Sequence, residues 1–314
     1  MRRWPIALLL ALAAAPAFAA GCVPGTWRIA APLPVARTEV AAASDGTALY
    51  LAGGMARDRA TDLLTLYRYD PTTDTWKGFA VLDQPVNHAG LAVIETTLYI
   101  IGGYEGPRNA PSARLRAYDL ATGTVTERSP MPTPRGALAV AILDGKLHAL
   151  GGTTDRSVAT HEIYDPATDR WSEAAPMRVP RNHLAAGNLD GRLYAFGGRD
   201  GETFLLDAAE VYDPVANAWS DIAPLPTGRS GIGAAAVSVR IVVFGGEVGG
   251  PDSHTFGDAE AYDPLNGSWT SLPPMPTPRH GLGVAAIGNE IFVVSGGPQP
   301  GLTVSDVTEV LCAG

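Results

Sequence analysis

The chain has 314 residues, a formal net charge of −9 and a hydrophobic content of 46%. Its acidic balance argues against nucleic acid or an anionic membrane surface as the main partner, and its apolar content is ample for a core. Lysine is confined to Lys77 and Lys146 while alanine, glycine and arginine abound, a bias of GC-rich, bacterial-type coding that carries no functional content.

The chain opens with Arg2 and Arg3, an apolar run from Ile6 to Ala15, and Ala17-Phe18-Ala19. Those are the three parts of a secretory signal peptide. Residues 1–20 are therefore expected to be removed, leaving 21–314 as one secreted or periplasmic domain in an oxidising compartment. The run is short for a membrane span, so no span is expected in the mature protein. Two other readings stay open: a lipid on Cys22, which follows Ala19-Ala20-Gly21, and an uncleaved anchor.

Next comes Thr26-Trp27, and after it a unit that recurs. An arginine leads into a run of small apolar residues (Arg135 to Ile142, Arg279 to Ile287); a turn such as Asp144-Gly145 or Asp190-Gly191 follows, and a second apolar run ends in Gly-Gly. That is a hairpin, strands A and B. The pairs are Gly53-Gly54, Gly102-Gly103, Gly151-Gly152, Gly197-Gly198, Gly245-Gly246 and Gly296-Gly297, spaced by 49, 49, 46, 48 and 51 residues. After a variable loop, strand C ends in Tyr-Asp at 69–70, 118–119, 164–165, 212–213 and 262–263. Seven residues past each tyrosine stands Trp76, Trp171, Trp219 or Trp269 on strand D, with Val125 as the exception.

Four antiparallel strands repeated at this period describe propeller blades, whose inner strand must carry small side chains. Tyrosine and tryptophan are expected to pack between blades. The pattern of Gly-Gly, Tyr, seven residues and Trp resembles the kelch repeat family and covers the chain after its first twenty or so residues. The resemblance implies an all-β, six-bladed β-propeller.

The last unit supplies strands A to C and stops at Cys312, while Trp27 begins a strand D with no blade of its own. The N-terminal strand is thus expected to join the C-terminal blade and close the ring. Aligning the repeats puts Cys22 beside Cys312, the two cysteines of the chain, and predicts a disulfide at the seam.

D-to-A connections and B-to-C loops should share one face, and the variable loops there are where binding is expected. At the mouth of strand A stand Arg37, Arg135, Arg181, Arg229 and Arg279, with Val86 in the second blade. These form either a guanidinium ring for carboxylates or phosphates, or ties to backbone carbonyls and to a neighbouring blade's carboxylate. Two residues on, the repeat varies as Glu39, His88, Ala137, His183, Gly231 and Gly281, with His280 one step earlier. Strand periodicity would put these on the face of the arginines, where Glu39 and His88 are either an acid/base pair or satisfied polar residues. Tyr104, Arg108, Arg199 and Phe204 are expected as exposed loop contacts.

No metal is expected, because His88, His183 and His280 on alternate blades should lie on different sides of the channel. No cofactor motif is present. The resemblance implies an exported monomeric binding module for a protein or glycan. A mutarotase acting on an acidic sugar such as sialic acid, like the periplasmic kelch sialic acid mutarotases, is the alternative.

Overall fold

The computed structural model describes residues 22–57, 63–106, 109–201, 203 and 205–314; the leader at 1–20, Arg108 and Phe204 lie outside them. Among the described residues there is no helix, and none therefore long enough to cross a membrane. Six four-stranded antiparallel sheets hold most of the rest. Their first strands are Ala41–Ser44, Gly90–Ile94, Ala139–Leu143, Ala185–Leu189, Gly233–Val237 and Gly283–Ile287. Strand A of each sheet packs beside strand A of the next, and that of the sixth beside that of the first. Alanine and glycine on these strands leave a narrow channel of about 240 Å³, lined among others by Ala42, Ala186 and Ala236.

The aromatics sit between sheets, as expected. Each indole donates to a carbonyl of the preceding sheet's outer edge: Trp76 to Ala31 (3.1 Å), Trp171 to Ser129 (2.8 Å), Trp219 to Ala175 (3.0 Å), Trp269 to Ala223 (2.9 Å) and Trp27 to Pro273 (2.9 Å). The tyrosine hydroxyls donate within their own sheet, as Tyr69 to Asp74 (2.6 Å) and Tyr164 to Asp169 (2.7 Å). Val125 stands exposed where an indole belongs, and Phe79 of the preceding sheet packs edge-on against Tyr118, ring centroids 5.3 Å apart.

The sixth sheet takes its outer strand from the other end of the chain. Trp27–Ala30 pairs antiparallel with Thr308–Cys312, and Cys22 and Cys312 form a disulfide with Cα atoms 5.6 Å apart. One detail differs from the sequence pattern. Both glycines of the earlier pairs have positive φ, but in the last sheet the two such residues are Ser295 (63°) and Gly296 (97°). Backbone register therefore starts one residue earlier. The Ser295 hydroxyl lies between the Arg37 and Ser305 carbonyls (2.6 and 3.0 Å) and donates its one proton there.

Candidate functional site at the axial mouth

The D-to-A connection and the B-to-C loop of each sheet do share a rim, where they pair directly: Thr38 with Met55, Asn87 with Tyr104, Gly136 with Thr153, Asn182 with Arg199, Ser230 with Glu247, and His280 with Gly297. On this rim a circuit of backbone hydrogen bonds passes from sheet to sheet. The amides of His88, Ala137, His183, Gly231 and Gly281 donate in turn to the carbonyls of Glu39, His88, Ala137, His183 and Gly231 (2.9–3.1 Å), and Val40 donates to Gly281 at 3.3 Å.

This circuit needs left-handed backbone at every member, with φ between 52° and 69° at Glu39, His88, Ala137, His183, Gly231 and Gly281. These residues are turns, not strand positions, which corrects the expectation that their side chains share a face with the arginines. Holding Glu39, His88 and His183 in a conformation that costs about 1 kcal/mol or more each aims their side chains at the axis. They line a cavity of about 80 Å³.

The five arginines do not ring this opening. Each is at most 1% exposed and lies inside its own sheet. Arg135 pairs with Glu162, Arg181 with Glu210 (2.5 Å), Arg229 with Glu260 (2.5 Å) and Arg279 with Glu309 (2.8 Å). Each also donates to a strand B carbonyl, as Arg181 does to Ala195 (3.2 Å). The carboxylate thus comes from strand C of the same sheet rather than from a neighbour. In the first sheet Tyr67 occupies the glutamate's place and its ring lies 5.1 Å from the Arg37 guanidinium; burial pulls Arg37 down to about 10. In the second sheet the pair is inverted: Val86 replaces the arginine, and Arg116, at the glutamate's place, binds Glu105.

What the mouth holds instead is a network of imidazoles and carboxylates. His88 Nε2 lies 3.2 Å from Glu39 Oε2, and His280 Nδ1 lies 3.4 Å from Glu39 Oε1. His280 Nε2 is in turn 3.7 Å from Glu247 Oε2, whose other oxygen accepts from Arg199 Nη1 at 3.1 Å. Arg199 Nη2 meets His183 Nε2 at 2.9 Å. A Cβ at Gly281 would stand 2.7 Å from the Glu39 carboxylate, so glycine there lets Glu39 reach His280. Burial would raise Glu39, but His88, His280 and His183 outweigh it and hold the carboxyl well below its usual range. Burial pushes His88 and His183 down, whereas for His280 the bond to Glu39 overcomes burial and raises it.

The match to a kelch-repeats domain of the type shared by KLHDC2, KLHL20 and DRC7 spans residues 25–180 and 175–297. This chain belongs to the kelch-repeat family. The solved structure of YjhT superposes on this kelch chain with a TM-score of 0.79, over 90% of this chain and 96% of that one, at 17% identity; at that identity the likeness shows the fold alone. Among curated proteins none matches.

Sequence reasoning placed Glu39 next to His88 correctly but put the histidines too far apart. His88 and His183 rings are 4.9 Å apart, because the left-handed turns bring alternate kelch blades to one narrow axis. Tyr104 and Arg199 are half-buried walls of the mouth rather than exposed contacts: Tyr104 packs over Gly136 and against His88 (5.4 Å). Glu247, Asn87 and Asn182 were missed. The Asn-His dipeptide recurring at 87–88 and 182–183 was the available signal for the two asparagines; nothing in the sequence marked Glu247.

Proposed function

We propose that the protein is an exported kelch propeller of six blades, closed at its N-terminal strand, that binds a hydroxyl-rich glycan at the axial mouth. The six sheets, the circuit of backbone bonds around the axis and the seam disulfide support the closed ring. Export is supported by the leader pattern and by a disulfide between the only two cysteines.

One observation carries the binding reading. Glu39, held between His88 and His280, presents an ionised acceptor beside imidazole nitrogens at the opening of a narrow channel walled by small side chains. Carboxylate and imidazole acceptors converging in a concave, half-buried mouth suit the donating hydroxyls of a sugar, and the Tyr104 ring supplies a wall. Acidic sugars are disfavoured, since the repeat arginines are consumed inside their blades and Arg199 is engaged with Glu247.

A second reading, mutarotation of an acidic sugar, is favoured by the Glu39–His88 distance of 3.2 Å, within reach for proton transfer. Calorimetry of the mature protein against neutral and acidic glycans, followed by NMR of anomer exchange for each ligand found, separates the two. Neutral-glycan binding lost in Glu39→Gln supports the first reading. Anomer exchange abolished by Glu39→Gln or His88→Ala supports the second, and no glycan bound at millimolar concentration removes both. Protein binding sensitive to the 104–114 loop but not to Glu39 would assign the rim to a protein ligand.

A further inference from the structure

We propose that Glu39, His88 and His183 form a binding site for one divalent transition-metal ion of the zinc class at the axial mouth. Their ligand atoms all lie within 4.8 Å of one another, and among the described residues no other such group occurs. The three come from three different blades and are half-buried, so the convergence is a product of the whole ring and not of a local turn.

Hydrogen bonding fixes what each imidazole offers. Asn87 donates through Nδ2 to Asn109 (2.9 Å) and Asn182 through Nδ2 to Ser157 (2.7 Å). The carbonyl ends of both amides therefore face the histidines, at 2.6 Å from His88 Nδ1 and 2.5 Å from His183 Nδ1. Each Nδ1 must carry the proton. That leaves Nε2 of both rings with a lone pair pointing to the axis, the arrangement in which an outer partner orients a metal-ligating histidine.

At His88 this leaves a position that a proton or a metal cation has to fill. A neutral ring protonated on Nδ1 sets the Nε2 lone pair 3.2 Å from the Glu39 carboxylate, two acceptors facing each other in a half-buried site. At His183 a cation already stands on the lone pair, the guanidinium of Arg199 at 2.9 Å. Arg199 has a second anchor in Glu247, so it has somewhere to remain when displaced.

The geometry is within reach of side-chain rotation. Ligand atoms around a tetrahedral ion at about 2.0–2.2 Å are about 3.4 Å apart. Glu39 and His88 already meet that spacing, and His183 has only to swing inward over Ala137, whose methyl is the sole side chain between them in the circuit. Two imidazoles and one carboxylate suit Zn²⁺, Co²⁺ or Ni²⁺ better than the all-oxygen sets of Ca²⁺ or Mg²⁺. A fourth position would open to the 80 Å³ cavity, room for a water.

This inference stands apart from the glycan reading, because zinc titration reports on the mouth with no sugar present. The test uses untagged, chelator-treated mature protein, titrated with Zn²⁺ by calorimetry and with Co²⁺ by visible absorption. Expected are one equivalent bound in the micromolar range or tighter, and the visible bands of four-coordinate Co²⁺. Asn182→Ala should weaken binding about 10–100-fold, His183→Ala by more, and Arg199→Gln should tighten it by removing the competing cation. Should His183→Ala fail to fold, imidazole NMR of the unaltered protein decides: Zn²⁺ must shift the His88 and His183 ring signals and leave His148 and His161 in place. No binding at millimolar Zn²⁺, or unchanged affinity in folded His88→Ala and His183→Ala, would overturn the proposal.

Discussion

At the residue scale the repeat arginine proves to be a structural cation. An Arg-Glu pair buried in each of four sheets is costly to desolvate, so removing one partner should cost far more than replacing both. Glu210→Ala, which strands Arg181 at 0% exposure, is expected to destabilise by about 3–5 kcal/mol. Arg181→Met combined with Glu210→Leu should recover most of that loss in a denaturant-unfolding cycle; equal losses for the single and double variants would contradict it. A second buried pair sets the acid limit. His148 Nδ1 and His161 Nε2 meet at 2.8 Å inside the third blade's contact with Tyr212 and Trp219, and burial lowers them to about 4 and about 3. The unfolded chain, with histidines near 6.5, binds more protons than the fold between those values. Stability is therefore fully present above about pH 6.5 and falls as pH drops toward 3–4, by roughly 3 kcal/mol for His148 alone. Urea midpoints from pH 7 to pH 4 should fall less steeply in His148→Leu than in the parent. The arginine's place in the repeat was legible in the sequence. Its partner was not, because strand C residues face an arginine only once the sheet has formed.

At the scale of the blade, the indole is both wedge and tie. Trp219 is 6% exposed and hydrogen-bonded to the preceding sheet, and Trp219→Ala should cost about 3–5 kcal/mol. The second blade offers the converse experiment. Between Leu66, Leu82, Ile100, Tyr118 and Val125 lies a slot of about 250 Å³, where the other blades keep an indole. Val125→Trp should fill it and, with the Val81 carbonyl in the place of the acceptors above because a bulge at Phe79 adds one residue to that strand, raise stability by about 0.5–2 kcal/mol. A lower unfolding midpoint would mean that Phe79 has already closed the gap. The departure at Val125 was plain in the sequence, but its compensation was not. Phe79 belongs to the preceding blade, and no spacing rule connects it to Tyr118.

Across the whole molecule the two ends of the chain hold one another. The disulfide spans 290 residues of sequence; in the loop-entropy account that is worth about 6 kcal/mol, an upper figure because the Trp27–Ala30 ladder already joins the ends. Reducing it should lower the thermal midpoint while leaving the fold intact. Removing residues 22–31 should unpair the edge of Thr308–Cys312 and expose it to aggregation, whereas excising the exposed loop tip at 250–253 should leave the midpoint nearly unchanged. Equal damage from the two deletions would contradict a structural role for the seam.

The sequence by itself determined the repeat, the four strands of each unit, the aromatic packing and the partnership of Cys22 with Cys312. These follow from local propensity and from a period that recurs whatever surrounds it. The tertiary structure alone decided what the mouth contains. Six left-handed turns, each unremarked in its own repeat, bring Glu39, His88, His183 and His280 from separate blades to one axis, while the arginines two residues before Glu39 and His183 and one before His280 turn away into their own sheets. Side-chain direction at a turn depends on φ, and the distance between blades depends on how their sheets pack; neither quantity is written in the spacing of residues along a chain.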